Sequence, residues 1–313
     1  MPPPIGKSAD PRRLAGSTAV TYGAGGSPVD RDAIVRRLRT AGCVFAEDEA
    51  ALLASEATTA AELDAMVDRR VGGEPLEYVL GWAEFAGLRV TVGPGVFVPR
   101  RRTEFLVDQA VALARSAAAR TPDETALGSP TAGTTAVGVP PVPTVVVLDV
   151  CCGSGAIGLA VAAALSGDGT DVELHATDIE PTAVRCARRN VAGVGGYVYV
   201  GDLFGPLPRS LRGRVHLLTA NVPYVPTAAI ELMPPEARDH EARVTLDGGA
   251  DGLDVLRRVA AVATQWLVPG GYLLVETSER QAATAATIMT DGGLAASVVT
   301  SDETESTVLI GTS

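Results

Sequence analysis

Apolar and polar positions change rhythm several times along this chain. From Val29 to Gly72 the apolar residues recur at helical spacing: Ile34, Val35 and Leu38, then Ala50, Leu52 and Leu53, then Leu63, Met66 and Val67. Ser27-Pro28 suits a helix start, and Thr59 to Glu62 reads as a cap followed by a helix. The span 28–73 is therefore expected to be a small domain of two or three short helices. Over 74–100 the rhythm becomes alternating. Leu88, Val90 and Val92 alternate, Gly93-Pro94-Gly95 marks a turn, and Val96-Phe97-Val98 resumes, which predicts a β-hairpin connecting two domains. Thr103 to Arg115 is helical again.

From Thr144 strands and helices alternate. Val145–Val150 is a continuous apolar run, as in a strand buried on both faces. Ala156–Leu165 follows as a helix, Val172–Thr177 as a strand, and Pro181–Val191 as a helix with proline in its first position. Strands are predicted at Tyr197–Val200, Val215–Ala220 and Gly271–Glu276. Helices are predicted at Asp251–Leu267 and Arg280–Met289, and strands at about 294–299 and 306–311 close the chain. This order implies an α/β fold, a doubly wound and mostly parallel sheet with helices on both faces. Ligands on such sheets bind at the carboxyl ends of the strands. Two polar stretches break the pattern: residues 1–27, expected as a disordered leader, and residues 120–143, expected as a flexible insertion within a domain spanning 101–313.

Composition narrows the functions open to such a fold. With 26 basic and 37 acidic residues the chain carries a net charge of -11, which argues against stable, sequence-independent nucleic-acid binding. No pair among Cys43, Cys151, Cys152 and Cys186 has CxxC spacing, so a reducing compartment is favoured. His175, His216 and His240 lie far apart and near no cysteine cluster, and no metal site is expected. No apolar run approaches membrane-spanning length, so the expectation is a cytoplasmic protein, a monomer with no membrane partner.

Three strand ends carry candidate chemistry. Asp149-Val150-Cys151-Cys152-Gly153-Ser154-Gly155 opens a helix, and its glycines let backbone approach a nucleotide-like ligand. Asp178, with Ile179 and Glu180 after it, can accept hydrogen bonds from ribose hydroxyls. The pair suits NAD, S-adenosylmethionine (SAM) or another adenosine ligand, and the lack of GxGxxG disfavours a dinucleotide. Asp202 after the third strand can accept from an adenine amino group while Leu203 packs on the ring. Asn221-Val222-Pro223-Tyr224 follows the fourth strand. An Asn side-chain oxygen and a backbone carbonyl are two acceptors for the two donors of a planar NH2 group, and Tyr224 can stack on its flat face. Pro223 pushes Val222 into the extended region.

Together these motifs resemble the HemK/PrmC-type protein-(glutamine-N5) methyltransferases, over roughly residues 30–313. Glu74-Pro75-Leu76-Glu77-Tyr78 through Gly87-Leu88 is similar to the family's interdomain hairpin, and Pro99-Arg100-Arg101-Arg102-Thr103-Glu104 to its PRPxTE segment. Asn221 to Tyr224 resembles NPPY, and Leu246-Asp247-Gly248-Gly249-Ala250-Asp251-Gly252 the loop that follows it. Pro235-Glu236, Glu241, Pro269-Gly270-Gly271 and Glu276 match further family positions. The resemblance implies a seven-stranded class I SAM-dependent methyltransferase that methylates the glutamine amide of the release-factor GGQ motif. It implies that Cys151, Cys152, Gly153, Ser154, Gly155, Asp178, Ile179 and Asn221 hold SAM and that Asp202 and Leu203 flank its adenine. Asn221 and the Val222 carbonyl would then hold the acceptor amide beside Pro223 and Tyr224.

Three departures stand out. Cys151 replaces the family's first loop glycine, Val222 replaces its first NPPY proline, and Arg101-Arg102 replaces a proline-acid pair, giving a basic run expected at a solvated surface. The alternatives are an N-methyltransferase acting on a ribosomal-protein glutamine, a small-molecule amine or a nucleobase, and a non-catalytic SAM-binding module.

Overall fold

Alternate residues of the central strands face opposite ways, and both sets are apolar, so the sheet must be covered on both sides. A computed structural model describes residues 19–20, 29–120 and 144–313. The chain divides between Leu80 and Gly81 into two units. The insertion expected at 120–143 lies outside the described residues but for Arg120, and so does the leader at 1–27 but for Ala19–Val20.

In the first unit β1 (Ala19–Val20) pairs antiparallel with β2 (Val29–Asp30). Four helices follow: α1 (Arg31–Thr40), α2 (Ala46–Glu56), α3 (Ala60–Val71) and α4 (Leu76–Leu80). The start of α1 is set by Asp30 rather than Ser27-Pro28, because the Asp30 carboxylate accepts from the Ala33 N–H at 3.2 Å. Thr59 caps α3 as expected, accepting from the Glu62 N–H at 3.1 Å. Leu38, Leu53, Leu63 and Val67 are fully buried in a core closed by Val79 of α4. Each such burial contributes about 1.5–3 kcal/mol.

The second unit opens with a hairpin, β3 (Trp82–Phe85) and β4 (Leu88–Thr91). Its turn is Ala86-Gly87, both at positive φ (50° and 72°), the backbone that two-residue hairpin loops require. The hairpin therefore lies one strand earlier than the Gly93-Pro94-Gly95 signal indicated. Nor is it a bare connector, since Phe85 and Val90 are buried in the main core of this unit. A 3-10 turn over Arg101–Thr103 leads into α5 (Glu104–Arg120).

The sheet strands are β5 (Thr144–Val150), β6 (Asp171–Asp178), β7 (Tyr197–Val200), β8 (Val215–Ala220), β9 (Leu267–Thr277), β10 (Ala295–Ser301) and β11 (Ser306–Thr312). Between them run α6 (Ala156–Gly167), α7 (Pro181–Val191), α8 (Pro235–His240), α9 (Asp254–Ala263) and α10 (Ala282–Asp291). The order across the sheet is β10-β11-β9-β8-β5-β6-β7. β5 to β9 are parallel, and β11 runs antiparallel to β9 and β10. This is the doubly wound, mostly parallel sheet expected from the alternation, with the seven strands that the resemblance implied.

The helix expected over Asp251–Leu267 is shorter. The Asp251 carboxylate accepts from the Leu253 N–H at 3.1 Å and delays the start to Asp254, while Leu267 already belongs to β9. Val147, Leu217 and Leu274 point into one core, and their neighbours Leu148, Leu218 and Leu273 into the other. Chain order reverses about β5, with β6 on one side and β8 on the other, so a crevice opens at its carboxyl end.

Candidate active site

The loop leaving β5 bends through three left-handed residues, Cys151 (φ 55°), Gly153 (φ 55°) and Gly155 (φ 76°). Glycine adopts this backbone at no steric cost, whereas Cys151 costs about 1–2 kcal/mol there. One hydrogen bond within the loop and others to the end of β6 hold the bend. The Cys152 N–H donates to the Thr177 carbonyl at 3.0 Å and the Gly155 N–H to the Cys152 carbonyl at 2.7 Å. The Gly153 N–H donates to Asp178 Oδ2 at 2.8 Å, and the Glu180 N–H to Asp178 Oδ1 at 2.9 Å. Each oxygen keeps a further lone pair, so Asp178 can still accept from a ribose diol. Asn190 of α7 donates to the Ser154 carbonyl at 2.8 Å and exchanges two hydrogen bonds with the Thr91 backbone, tying the loop to the hairpin.

Asp149 lies fully buried behind the loop. It accepts from Thr219 Oγ1 at 2.8 Å and from the Gly158 N–H at 3.1 Å, and burial raises its pKa to about 7. A Cβ at Gly158 would sit 3.0 Å from Leu174 Cδ1, so glycine is what lets α6 approach the sheet here. Burial also pushes the Cys151 and Cys152 thiols up, with Asp178 and Asp149 adding to the effect. Both stay protonated, which makes them small fillers rather than nucleophiles.

Asp202 follows β7 at about half exposure, and Arg258 of α9 donates to its Oδ2 at 2.5 Å. The carboxylate expected beside an adenine is thus shared with a guanidinium. Leu203 is buried at φ 46°, and the Ile179 side chain is half exposed.

Asn221 to Tyr224 leaves the end of β8 without internal hydrogen bonds, and distant segments hold it. The Val225 N–H donates to the Leu246 carbonyl at 3.0 Å, and the Gly248 N–H to the Val225 carbonyl at 2.9 Å. Gln281 Nε2 donates to the carbonyls of Tyr224 and Asp251, each at 2.9 Å. Contact is too close for side chains in between: a Cβ on Gly248 would lie 2.6 Å from the Pro223 carbonyl oxygen, and one on Gly252 2.2 Å from that of Tyr224. Acceptors in this strip are left over, two of them where the family pattern places the acceptor amide. The Asn221 side chain and the Val222 carbonyl make no hydrogen bond with any described residue.

The basic run is largely exposed, as expected, but two of its guanidiniums are engaged. Arg102 Nε donates to Glu276 Oε1 at 3.0 Å, and its guanidinium also donates to the Tyr224 hydroxyl. Arg100 pairs with the buried Glu241, whose Oε1 also accepts from the Val98 N–H at 3.3 Å. Arg101 and Arg102 are both exposed, and Arg100 is half-buried.

These pieces wall one cleft of about 1310 Å³ measured out to its open mouth. Cys151, Cys152, Gly153, Ser154, Asp178, Ile179, Asp202, Leu203 and Asn221 to Tyr224 all line it. Gly155 does not. A Cβ there would meet Ala187 of α7 at 3.1 Å, so it is a packing glycine behind the loop. Phe97, Arg102, Val244 and Arg258 line the cleft as well, although no motif assigned them to it. The three guanidiniums on its wall, Arg100, Arg102 and Arg258, are each paired with a carboxylate. Among the described residues no helix is long and apolar enough to cross a membrane.

No protein-family model matches the chain. It is 37% identical over 221 residues to the release factor glutamine methyltransferase of Geobacter sulfurreducens, covering 70% of this chain and 66% of that protein. It is 35% identical over 216 residues to the protein of the same name from Streptomyces coelicolor, covering 69% and 67%. With the one from Mycolicibacterium smegmatis it shares 33% identity over 236 residues, covering 74% and 72%. The chain thus spans about two thirds of the length of the curated relatives it matches. Among solved structures it is 23% identical to a protein-(glutamine-N5) methyltransferase (release factor-specific) from Alicyclobacillus acidocaldarius, covering 71% of this chain and 97% of that one at a TM-score of 0.38.

Proposed function

This chain belongs to the release factor glutamine methyltransferase family, and from that premise we propose that it methylates the side-chain nitrogen of the GGQ glutamine in peptide-chain release factors, in the cytoplasm, with SAM as the donor. One observation carries the reading: the Asn221 side chain and the Val222 carbonyl have no hydrogen-bond partner among the described residues, while the Tyr224 and Val225 carbonyls just beyond them are taken. Two acceptors match the two donors of a primary amide.

The residues of the opposite wall fit SAM. Asp178 keeps acceptor capacity for ribose hydroxyls, and Gly153 leaves the loop surface without a side chain. When bound, SAM supplies a methyl group on a sulfonium that departs as a neutral thioether. An amide nitrogen is a weak nucleophile because its lone pair is delocalised into the carbonyl. The work left to the protein is therefore orientation. Asn221 and Val222 fix both N–H groups of the acceptor, Tyr224 packs on its flat face, and the N-methylated amide, acidic once alkylated, loses its extra proton to water at the open mouth of the cleft. Orientation of this kind contributes about 7–11 kcal/mol. Tyr224 is no base in this scheme: burial raises its pKa to about 12, so it remains a phenol at neutral pH. Among the described residues every guanidinium on the wall is paired with a carboxylate, which speaks for a protein acceptor over a nucleobase.

The test is transfer of labelled methyl from SAM to a release factor of the host, wild type and with GGQ changed to GGA. Label confined to the wild-type factor is the expected result. An unlabelled factor, with SAM binding intact, would refute the assignment of substrate.

A further inference from the structure

Tyr224 is held at two points. Its carbonyl accepts from Gln281, and its hydroxyl meets Arg102 and Glu276, which come from elements far apart in the chain. One carboxylate oxygen serves the whole group. Glu276 Oε1 accepts from Arg102 Nε at 3.0 Å and from the Tyr224 hydroxyl at 3.3 Å. Arg102 is fixed in turn, because Ser306 Oγ donates to its carbonyl at 2.7 Å.

Glu276 is an expensive residue to keep here. It is 2% exposed, and its Oε2 is buried with no hydrogen-bond partner. A buried carboxylate with one oxygen unpaired is poor value for stability, since an apolar side chain would serve the fold as well or better. What the carboxylate does supply is a fixed acceptor for a phenol that lines the cleft. Arg102 supplies the compensating charge and a second contact to the same hydroxyl.

We propose that Arg102 and Glu276 are positioning residues that set the plane of the Tyr224 ring against the acceptor amide. This rests on the reading of Tyr224 as the ring that packs on that amide. Neither residue needs to touch substrate; both act through the phenol oxygen. A ring released from them keeps its backbone anchor on Gln281 but turns about its side-chain torsions, and the amide loses one wall of its slot.

The test is a double-mutant cycle of Arg102→Ala and Tyr224→Phe in the full chain, reading kcat, KM for the release factor and SAM affinity. Each single variant is expected to lower kcat about tenfold with KM and SAM affinity within about twofold. The double variant should also lose about tenfold, because both changes cut the same link. Arg102→Lys should recover part of the loss. A double variant about a hundredfold down, or losses that fall on SAM affinity, would overturn the proposal. A second readout needs no substrate. With 3-fluorotyrosine incorporated, the fluorine resonance of Tyr224, assigned by its disappearance in Tyr224→Phe, should move or broaden in Arg102→Ala and Glu276→Gln. A resonance unchanged in both would overturn the proposal. If the wild-type enzyme leaves the release factor unlabelled, the functional reading fails while the fluorine line still decides whether the anchor exists.

Discussion

The two walls of the cleft keep their shape by opposite means. The loop over Cys151–Gly155 bends through three left-handed residues, closed by one internal hydrogen bond to Cys152 and by bonds to Thr177, Asp178 and Asn190. The strip over Asn221–Tyr224 has no hydrogen bond between its own residues and is held by Gln281 and, through Val225, by Leu246 and Gly248. Each wall therefore tolerates a different departure from the family pattern. Cys151 keeps the required backbone at the cost of local strain. Val222 lacks the fixed φ of a proline, but the glycine loop and Gln281 supply restraint from outside. The first wall leans on the strand and helix that follow it, and the second on a glycine loop and on Gln281.

Breaking the external strap should have the largest effect. In Gly252→Ala the new Cβ would lie 2.2 Å from the Tyr224 carbonyl oxygen and 2.4 Å from Gln281 Nε2, on a backbone at φ 79°. A shift of about 1 Å in the strip costs on the order of 100-fold in kcat, with SAM affinity expected to stay within a few-fold. Steady-state kinetics beside calorimetric titration of SAM checks this, and equal losses on both sides would erase the contrast between the walls.

A smaller effect concerns what lies behind the first wall. Asp149 has its pKa raised from 3.8 to about 7 by burial. Between those values the folded protein holds a proton that the unfolded chain has shed, so this group makes stability fall as pH rises from about 4 to about 7. Asp149→Asn removes the titration and still pairs, because its oxygen can accept from Gly158 while its NH2 donates to Thr219. From pH 5 to pH 8, urea unfolding of the wild type should lose about 2 kcal/mol more than that of the variant. Parallel curves would mean that Asp149 does not titrate in this range.

The smallest effect tests the strain in the first wall directly. Cys151→Gly relieves the left-handed cysteine but adds chain entropy to the unfolded state, so stability should change by no more than about 1 kcal/mol. A thermal melt reads it. A loss of several kcal/mol would show that the cysteine side chain packs in a way that outweighs its backbone cost.

Much of the first wall was legible in the sequence, because its bend is set by glycines and its main partner, Asp178, ends the next strand. α7, β7 and β8 begin and end where the periodicity, the proline at the start of α7 and the flanking turns indicated. The glycines after β5 announced a tight bend, and Asp178 lies one unit on. Distant partners were not legible. Arg102 reads as part of a basic run until Glu276, 174 positions away, is brought against it. Asp202 reads as a free acceptor until Arg258 reaches it from α9. The hairpin was misplaced because Gly93-Pro94-Gly95 is a louder turn signal than Ala86-Gly87, where an alanine occupies a left-handed position. The fold followed from periodicity; the wiring of the acceptor wall needed the tertiary structure.

The central claim is that Asn221 acts on the acceptor amide while the other wall holds the donor. Single-turnover methyl transfer by Asn221→Ala, measured at saturating SAM beside the SAM dissociation constant of the same preparation, tests it most directly. The account predicts a fall in transfer rate of about 100-fold or more with the dissociation constant within a few-fold of wild type. Near-normal transfer, or a loss that appears wholly as weakened SAM binding, would contradict it.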